Sequence, residues 1–285
     1  MIFDLNDGKN GGACHKTSGA ATISPSLSDS TTMISTFPYY GGRFYQLKEI
    51  MGILEKHKEQ FDVVVDVFGG SGKVLINVPE EWRKVKVYND INGDLYTTFK
   101  VLQDEKKYRL LTRKLRNAFP HAEIFNELRF SHPKSDVDVA FKTIYLHTYS
   151  YAGTGTTFKR FYSRVNVPPL KIDYFLRVKK WIVENMDFRD LMTRYNKPKV
   201  LLYLDPPYLD GGQTYRYSFK MNDFLDLKKL LDQHQGTYLL NLSMHDKEMI
   251  DVFGNPDMVT EHYRPTTKGT YDEGSRWECG YWWKF

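Results

Sequence analysis

An α/β fold is predicted by three features of the sequence. Short runs rich in β-branched and apolar residues end at acids: Phe61-Asp62-Val63-Val64-Val65-Asp66-Val67, Val85-Lys86-Val87-Tyr88-Asn89-Asp90 and Leu201-Leu202-Tyr203-Leu204-Asp205. Such runs suit a pleated, buried surface. The stretches between them carry helical periodicity, as in Leu47, Ile50, Met51 and Leu54 at i, i+3, i+4 and i+7. The first run also opens directly into Phe68-Gly69-Gly70-Ser71-Gly72, the kind of turn by which an α/β backbone comes close to a bound nucleotide.

Composition narrows the class. The chain has 285 residues, 41% hydrophobic and 26% charged, as in ordinary globular proteins of one or two domains. Cys14 and Cys279 lie near opposite ends, which excludes a disulfide scaffold or a cysteine metal cluster and fits a reducing compartment. The expected location is therefore the cytoplasm, or a host's cytoplasm if a virus encodes the protein. The chain opens with no basic-then-apolar leader and has no run approaching 18 apolar residues, so no membrane partner is expected. The formal charge of +5 is uneven: residues 101–180 hold 16 Lys and Arg against 7 Asp and Glu. That block has the sign to meet a polyanion. The rest of the chain is net acidic.

In chain order, residues 1–35 lack apolar periodicity and read as a disordered arm. Phe37-Pro38-Tyr39-Tyr40-Gly41-Gly42-Arg43 begins the organised chain, and its paired glycines mark a turn or a close approach to a ligand. The glycine turn at 68–72 lacks the third spaced glycine of a dinucleotide fingerprint. It also lacks the hydroxyl of a phosphate-binding loop, because Gly72-Lys73 is followed by Val74. Asp90 follows Asp66 by 24 residues, near the spacing at which an acid accepts ribose hydroxyls. It also reads as the cap of a helix starting at Ile91, with Leu95, Phe99 and Leu102 facing inward.

Residues 101–180 change rhythm: two helical stripes (Tyr108, Leu111, Leu115; then Val137, Ala140, Phe141, Ile144, Tyr145, Thr148) precede Ser150 to Arg164. That segment mixes glycines, hydroxyls and aromatics with Lys159, Arg160 and Arg164. Either it is a solvated loop or it meets nucleic acid, with cations on phosphates. The division expected is 1–35 arm, 36–100 first part of the catalytic domain, 101–180 insertion and 181–285 second part. Asp187-Phe188 stands at the end of the strand near 181–184, where the acid either receives an adenine amino group or caps the following helix. After Pro206-Pro207-Tyr208 comes a Gly-rich loop with Tyr215 and Arg216, placed to close over a ligand. The stretch from Trp277 to Phe285 reads as an edge hairpin.

Leu201 to Tyr208 is the centre of this pattern. Pro206 cannot donate to a sheet ladder, so the strand stops there. Its edge then offers a carboxylate, stiff carbonyls and one aromatic ring. That set suits a planar, amino-bearing ring, and it equally suits a packed turn.

Five segments occur in one order: Pro38 to Arg43, Asp66 to Gly72, Tyr88-Asn89-Asp90, Met186-Asp187-Phe188 and Asp205-Pro206-Pro207-Tyr208. Together they resemble the adenine-N6 DNA methyltransferases of the orphan GATC-methylating type, over about residues 34–285. The resemblance implies a seven-stranded, mostly parallel sheet with one reversed strand and an inserted helical DNA-recognition domain. It implies S-adenosylmethionine as cofactor, double-stranded DNA as partner and no metal. Tyr40 and Arg43 would approach the methionine end, with Arg43 in place of the family's usual lysine. Phe68, Gly69 and Gly70 would line the cofactor turn, Asp90 the ribose, and Asp187 with Phe188 the cofactor adenine. Asp205, Pro206 and Tyr208 would hold the target adenine, and Lys159, Arg160, Arg164, Tyr215 and Arg216 would face DNA. Two other classes share parts of the pattern: an RNA or protein-amide methyltransferase, and an inactive DNA-binding relic.

Overall fold

One sheet holds β1 (Val63–Asp66), β2 (Val85–Asn89), β3 (Ile182–Glu184), β4 (Val200–Leu204), β5 (Thr237–Ser243), β6 (Met258–Tyr263) and β7 (Arg276–Lys284). Their order is β3-β2-β1-β4-β5-β7-β6. The computed structural model describes residues 33–39, 46–159, 172–209, 219–244, 248–263 and 276–285, all within the compact unit Met33–Phe285. β1 pairs in parallel with β2 and β4, β2 with β3 and β4 with β5, whereas β7 runs antiparallel to both β5 and β6. This is the mostly parallel, seven-stranded sheet with a reversed strand that the resemblance implied.

Parallel neighbours need crossovers, and these put helices on both faces. They are α1 (Leu47–Lys56), α2 (Lys73–Asn77), α3 (Gly93–Gln103), α4 (Glu105–Arg116), α5 (Ala122–Phe130), α6 (Asp136–Thr148), α7 (Ile172–Val178), α8 (Phe188–Arg194), α9 (Met221–Asp232) and α10 (Glu248–Phe253). Period-2 alternation divides β1, β2, β4 and β5 between two cores. Val64, Tyr88, Leu201, Tyr203 and Leu239 pack with residues of α1 to α7. Val65, Val87, Leu202, Leu204 and Leu240 pack with α8, α9 and α10.

The helices of residues 101–180 share the first core: Leu111, Leu115, Phe125, Ile144 and Tyr145 belong to the same buried cluster as Val64 and Leu201. α3 runs through the division expected at 100/101, because Val101 and Leu102 continue its buried face. Lys107–Asp136 and Lys114–Asp138 pair α4 with α6, each at 2.5 Å. Part of the block's positive charge is thus neutralised within the insertion.

Three local readings change. The cap of α3 is Asn92, whose side chain accepts from the Asp94 amide at 3.0 Å, and the helix starts two residues later than expected. The organised chain begins by Ile34, which exchanges hydrogen bonds with the Asn77 side chain at 2.7 and 3.0 Å. The aromatic carboxyl-terminal stretch is the inner strand of its hairpin, with β6 as the edge. Trp282 is buried, and its indole N–H donates to the Gly254 carbonyl at 2.9 Å, which explains the inward position.

Candidate active site

β1 lies where the strand order reverses: the chain steps outward to β2 and β3, then returns to place β4 on the other side. Open α/β sheets bind ligands beyond the carboxyl ends of strands at such a point. Three acids occupy that edge. Asp66 ends β1 and is in register with Tyr88 of β2 and Tyr203 of β4. Asp90 and Asp205 each stand one residue past the end of their strand, β2 and β4, so the three acids lie at neighbouring strand ends.

The turn after β1 is pinned from β2. The Gly69 amide donates to the Asn89 carbonyl at 2.7 Å and the Gly72 amide to the Gly69 carbonyl at 2.8 Å. Tyr88 donates its hydroxyl to the Gly70 carbonyl at 2.7 Å, and the Gly70 amide donates to Asp90 Oδ2 at 2.9 Å. Gly70 has φ +51°, and a Cβ there would lie 3.1 Å from the Tyr39 ring. A Cβ at Gly69 would overlap the Tyr88 ring, so that glycine answers to internal packing.

Asp90 Oδ1 accepts the Asn92 amide at 2.9 Å. Burial pushes its carboxyl up to about 6, against the lowering effect of these two amide donors. Neighbouring Asn89 is buried and ties three strand ends together. It donates to the carbonyls of Val67 at 3.0 Å and Met186 at 3.1 Å, and accepts the Met186 amide at 2.9 Å. Its place inside the Tyr-Asn-Asp segment was visible in the sequence, but its partners, 22 and 97 residues away, were not.

Asp187 is the cap of α8, accepting the Arg189 amide at 2.9 Å. Arg189 also reaches Asp223 at 2.5 Å and Asp226 at 2.7 Å, and its guanidinium lies 4.3 Å from the centre of the Phe188 ring. Phe188 is buried against Phe68 and Phe219, with ring centroids 5.7 and 5.3 Å apart. Phe68 is half-buried and is the ring of this group with more surface to offer. β4 is buried throughout and ends at Leu204; Asp205 and Tyr208 are half-buried and Pro206 is buried. Lys159 is exposed, its amide donating to the Tyr149 carbonyl at 2.9 Å. Tyr40, Arg43, Arg160, Arg164, Tyr215 and Arg216 lie outside the described residues.

Two features went unassigned in the sequence. Asp66 is 2% exposed and its Oδ1 has no hydrogen-bond partner among the described residues. Burial first, then the negative charges of Asp205 and Asp90, hold its carboxyl well above the usual carboxylate range. An acid closing a run of valines was the available signal. The second feature is His147, whose ring lies 4.6 Å from that of Tyr39 and whose Nδ1 is 2.7 Å from the Gly153 carbonyl. No spacing rule joins those residues.

S-Adenosylmethionine carries a ribose, a flat base and positive charge. An acid beside a glycine turn, a half-buried ring next to it and an orphaned buried carboxyl oxygen fit those parts. A family model of D12 class N6 adenine-specific DNA methyltransferases matches residues 39–251.

The chain belongs to this family.

The methyltransferase uses S-adenosylmethionine and methylates adenine N6 at specific sites in DNA. That assignment separates it from the RNA- and amide-methylating classes that share its strand-end motif. No curated protein matches the chain. Among the described residues no helix is long and apolar enough to cross a membrane, and no group of three or more His, Cys, Asp or Glu is arranged to hold a metal ion.

Proposed function

We propose that the methyltransferase acts on double-stranded DNA, holding a flipped adenine at Asp205, Pro206 and Tyr208 beside a cofactor bound at the Gly69–Gly70 turn. The observation that carries this reading is the position of Asp205, one residue past β4 and next to β1 at the sheet's switch point. An adenine amino nitrogen is a poor nucleophile because its lone pair is delocalised into the ring. Asp205 and the Pro206 carbonyl would accept hydrogen bonds from its two N–H groups and favour a more tetrahedral nitrogen, with its lone pair free to attack the methyl carbon. Tyr208 stacks on the base and offsets part of the few kcal/mol that flipping costs. The bound cofactor supplies an electrophilic methyl group, so the protein needs no nucleophile of its own and no metal. Asp90 would accept ribose hydroxyls, Phe68, backed by buried Phe188, would offer a face to the cofactor adenine with Asp187 to receive its amino group, and Tyr40 and Arg43 would serve the methionine end.

Lys159, Arg160 and Arg164 contact DNA, a role supported by the positive balance of residues 101–180, and Tyr215 and Arg216 join them from the Gly-rich loop that follows Tyr208. Neutralising Lys159, Arg160 and Arg164 together should weaken binding of a duplex and lower the log–log salt slope by roughly 2.7, at ~0.9 per lost phosphate contact. An unchanged slope in a fluorescence titration would assign those cations to ordinary surface.

The sign of a pH effect follows from Asp90. A hydroxyl donor binds the anion, and protonation competes with it. Affinity for S-adenosylhomocysteine should therefore be level above the Asp90 value of about 6 and weaken as pH falls below it, approaching about tenfold per unit. Asp90→Asn should flatten the profile in calorimetric titrations.

The test of the function is methylation of unmodified genomic DNA with labelled cofactor in the presence of a chelator, followed by mapping at single-base resolution. The expected result is N6-methyladenine at one short motif, with GATC as the motif that the resemblance implies. Label confined to RNA or protein, or lost with the chelator, would contradict the proposal.

A further inference from the structure

We propose that Asp66 is the residue by which this site distinguishes a positively charged cofactor from its neutral product. This extends the proposed cofactor site at the Gly69–Gly70 turn and rests on it. Asp66 closes β1 at 2% exposure with an oxygen that nothing among the described residues satisfies. Among the described residues, the charged groups acting on it are Asp205, beyond β4, and Asp90, beyond β2. Tyr88, its register partner on β2, presents a phenol held neutral by burial. No described Lys, Arg or His forms an ion pair with Asp66 or Asp90. Three carboxyl groups converge on one strand edge, and the innermost has neither a donor nor a described cation to support its negative charge.

Leaving a buried acid in that condition favours its neutral form, and a cation arriving beside it reverses the preference. Asp66 then gives up a proton to solvent and faces the cation as a carboxylate. During transfer the S–C bond breaks as the N6–C bond forms, one N6 proton is lost, and the positive charge on sulfur disappears. Asp66 regains a proton at that stage, its attraction for the sulfur end of the product is gone, and release is favoured. By linkage, a ligand that shifts this protonation binds with a pH dependence, added to that of Asp90, that a ligand with neutral sulfur lacks. A purely structural Asp66 would affect both ligands alike.

Sinefungin, with a charged amine where S-adenosylhomocysteine has neutral sulfur, makes the comparison direct. Titration calorimetry of the full chain in buffers of different ionisation enthalpy at pH 7 counts the protons released with each ligand. Wild type is expected to release more with sinefungin, and its preference for sinefungin should grow with pH. In Asp66→Asn both differences should vanish, with the affinity ratio falling at least about fivefold, the 1 kcal/mol scale of a modest charge interaction. Equal proton release for the two ligands in wild type overturns the inference, as does an unchanged ratio in folded Asp66→Asn. If that variant does not fold, the wild-type comparison decides alone. Binding of both ligands with equal proton release would leave the proposed cofactor site standing; no binding of either by folded protein would remove both.

Discussion

Asp205→Ala is expected to slow single-turnover methylation by about 10²–10³-fold, the range seen when one preorganised electrostatic partner of a transition state is removed. The residue follows a fully buried strand, so its backbone is fixed by neighbours on both sides and its half-buried side chain supports little of the core. The fold and most of the cofactor affinity should survive. Asp205→Asn is the sharper variant. Its amide is nearly the same size, but it carries no charge and can turn N–H donors toward an amine that is itself a donor. Saturating enzyme, cofactor and DNA in a quench-flow assay separates methyl transfer from product release. Tyr208→Ala should add a loss in base capture, visible as weaker binding of the target duplex. Rates near wild type for both Asp205 variants would move the active site elsewhere.

Phe99→Ala should cost about 3–5 kcal/mol of stability, the usual range for truncating a fully buried aromatic ring. Phe99 is 0% exposed and sits 4.0 Å from the Tyr88 ring and 5.7 Å from Trp181, centroid to centroid. A Cβ on Gly72 would approach it to 2.8 Å, so the ring also fills the space beneath the turn. Its loss should therefore reach the site: Tyr88 is no longer held against the Gly70 carbonyl, and S-adenosylhomocysteine should bind more weakly. Phe99→Leu keeps enough volume to fold and permits both measurements. Urea unfolding gives the stability change and calorimetry the affinity. A clear loss of stability with unchanged affinity would show that packing under the turn does not position it.

Much of this site was legible in the chain because its chemistry is strand-terminal. A buried strand must be apolar, so an acid closing one stands out, as Asp90 and Asp205 do after Val85–Asn89 and Val200–Leu204. Proline marks where the last of these strands stops. Helix faces were equally plain: Leu95, Phe99 and Leu102 are all fully buried. Local ambiguity was harder to remove. Asp90 and Asn92 are both good caps, and only the observed bonds give Asn92 the helix and leave Asp90 to the glycine turn. At Asp187 the cap is realised, and a cap does not by itself exclude contact with a ligand.

The sequence by itself determined the alternation of strand and helix, the segments that carry the chemistry and the family to which they belong, because these depend on residue type and short spacing. Only the tertiary structure decided which strands are neighbours. That decision places β1 between β2 and β4, bringing Asp66, Asp90 and Asp205 to one edge. It also made Asn89 the tie between three strand ends and set Tyr39 against both Gly70 and His147. The physical reason is that burial and mutual charge depend on distances through space, which a period of two or 3.6 residues along the chain does not encode. A valine strand ending in aspartate looks the same whether its acid meets water or two other carboxylates; in this fold it meets the carboxylates.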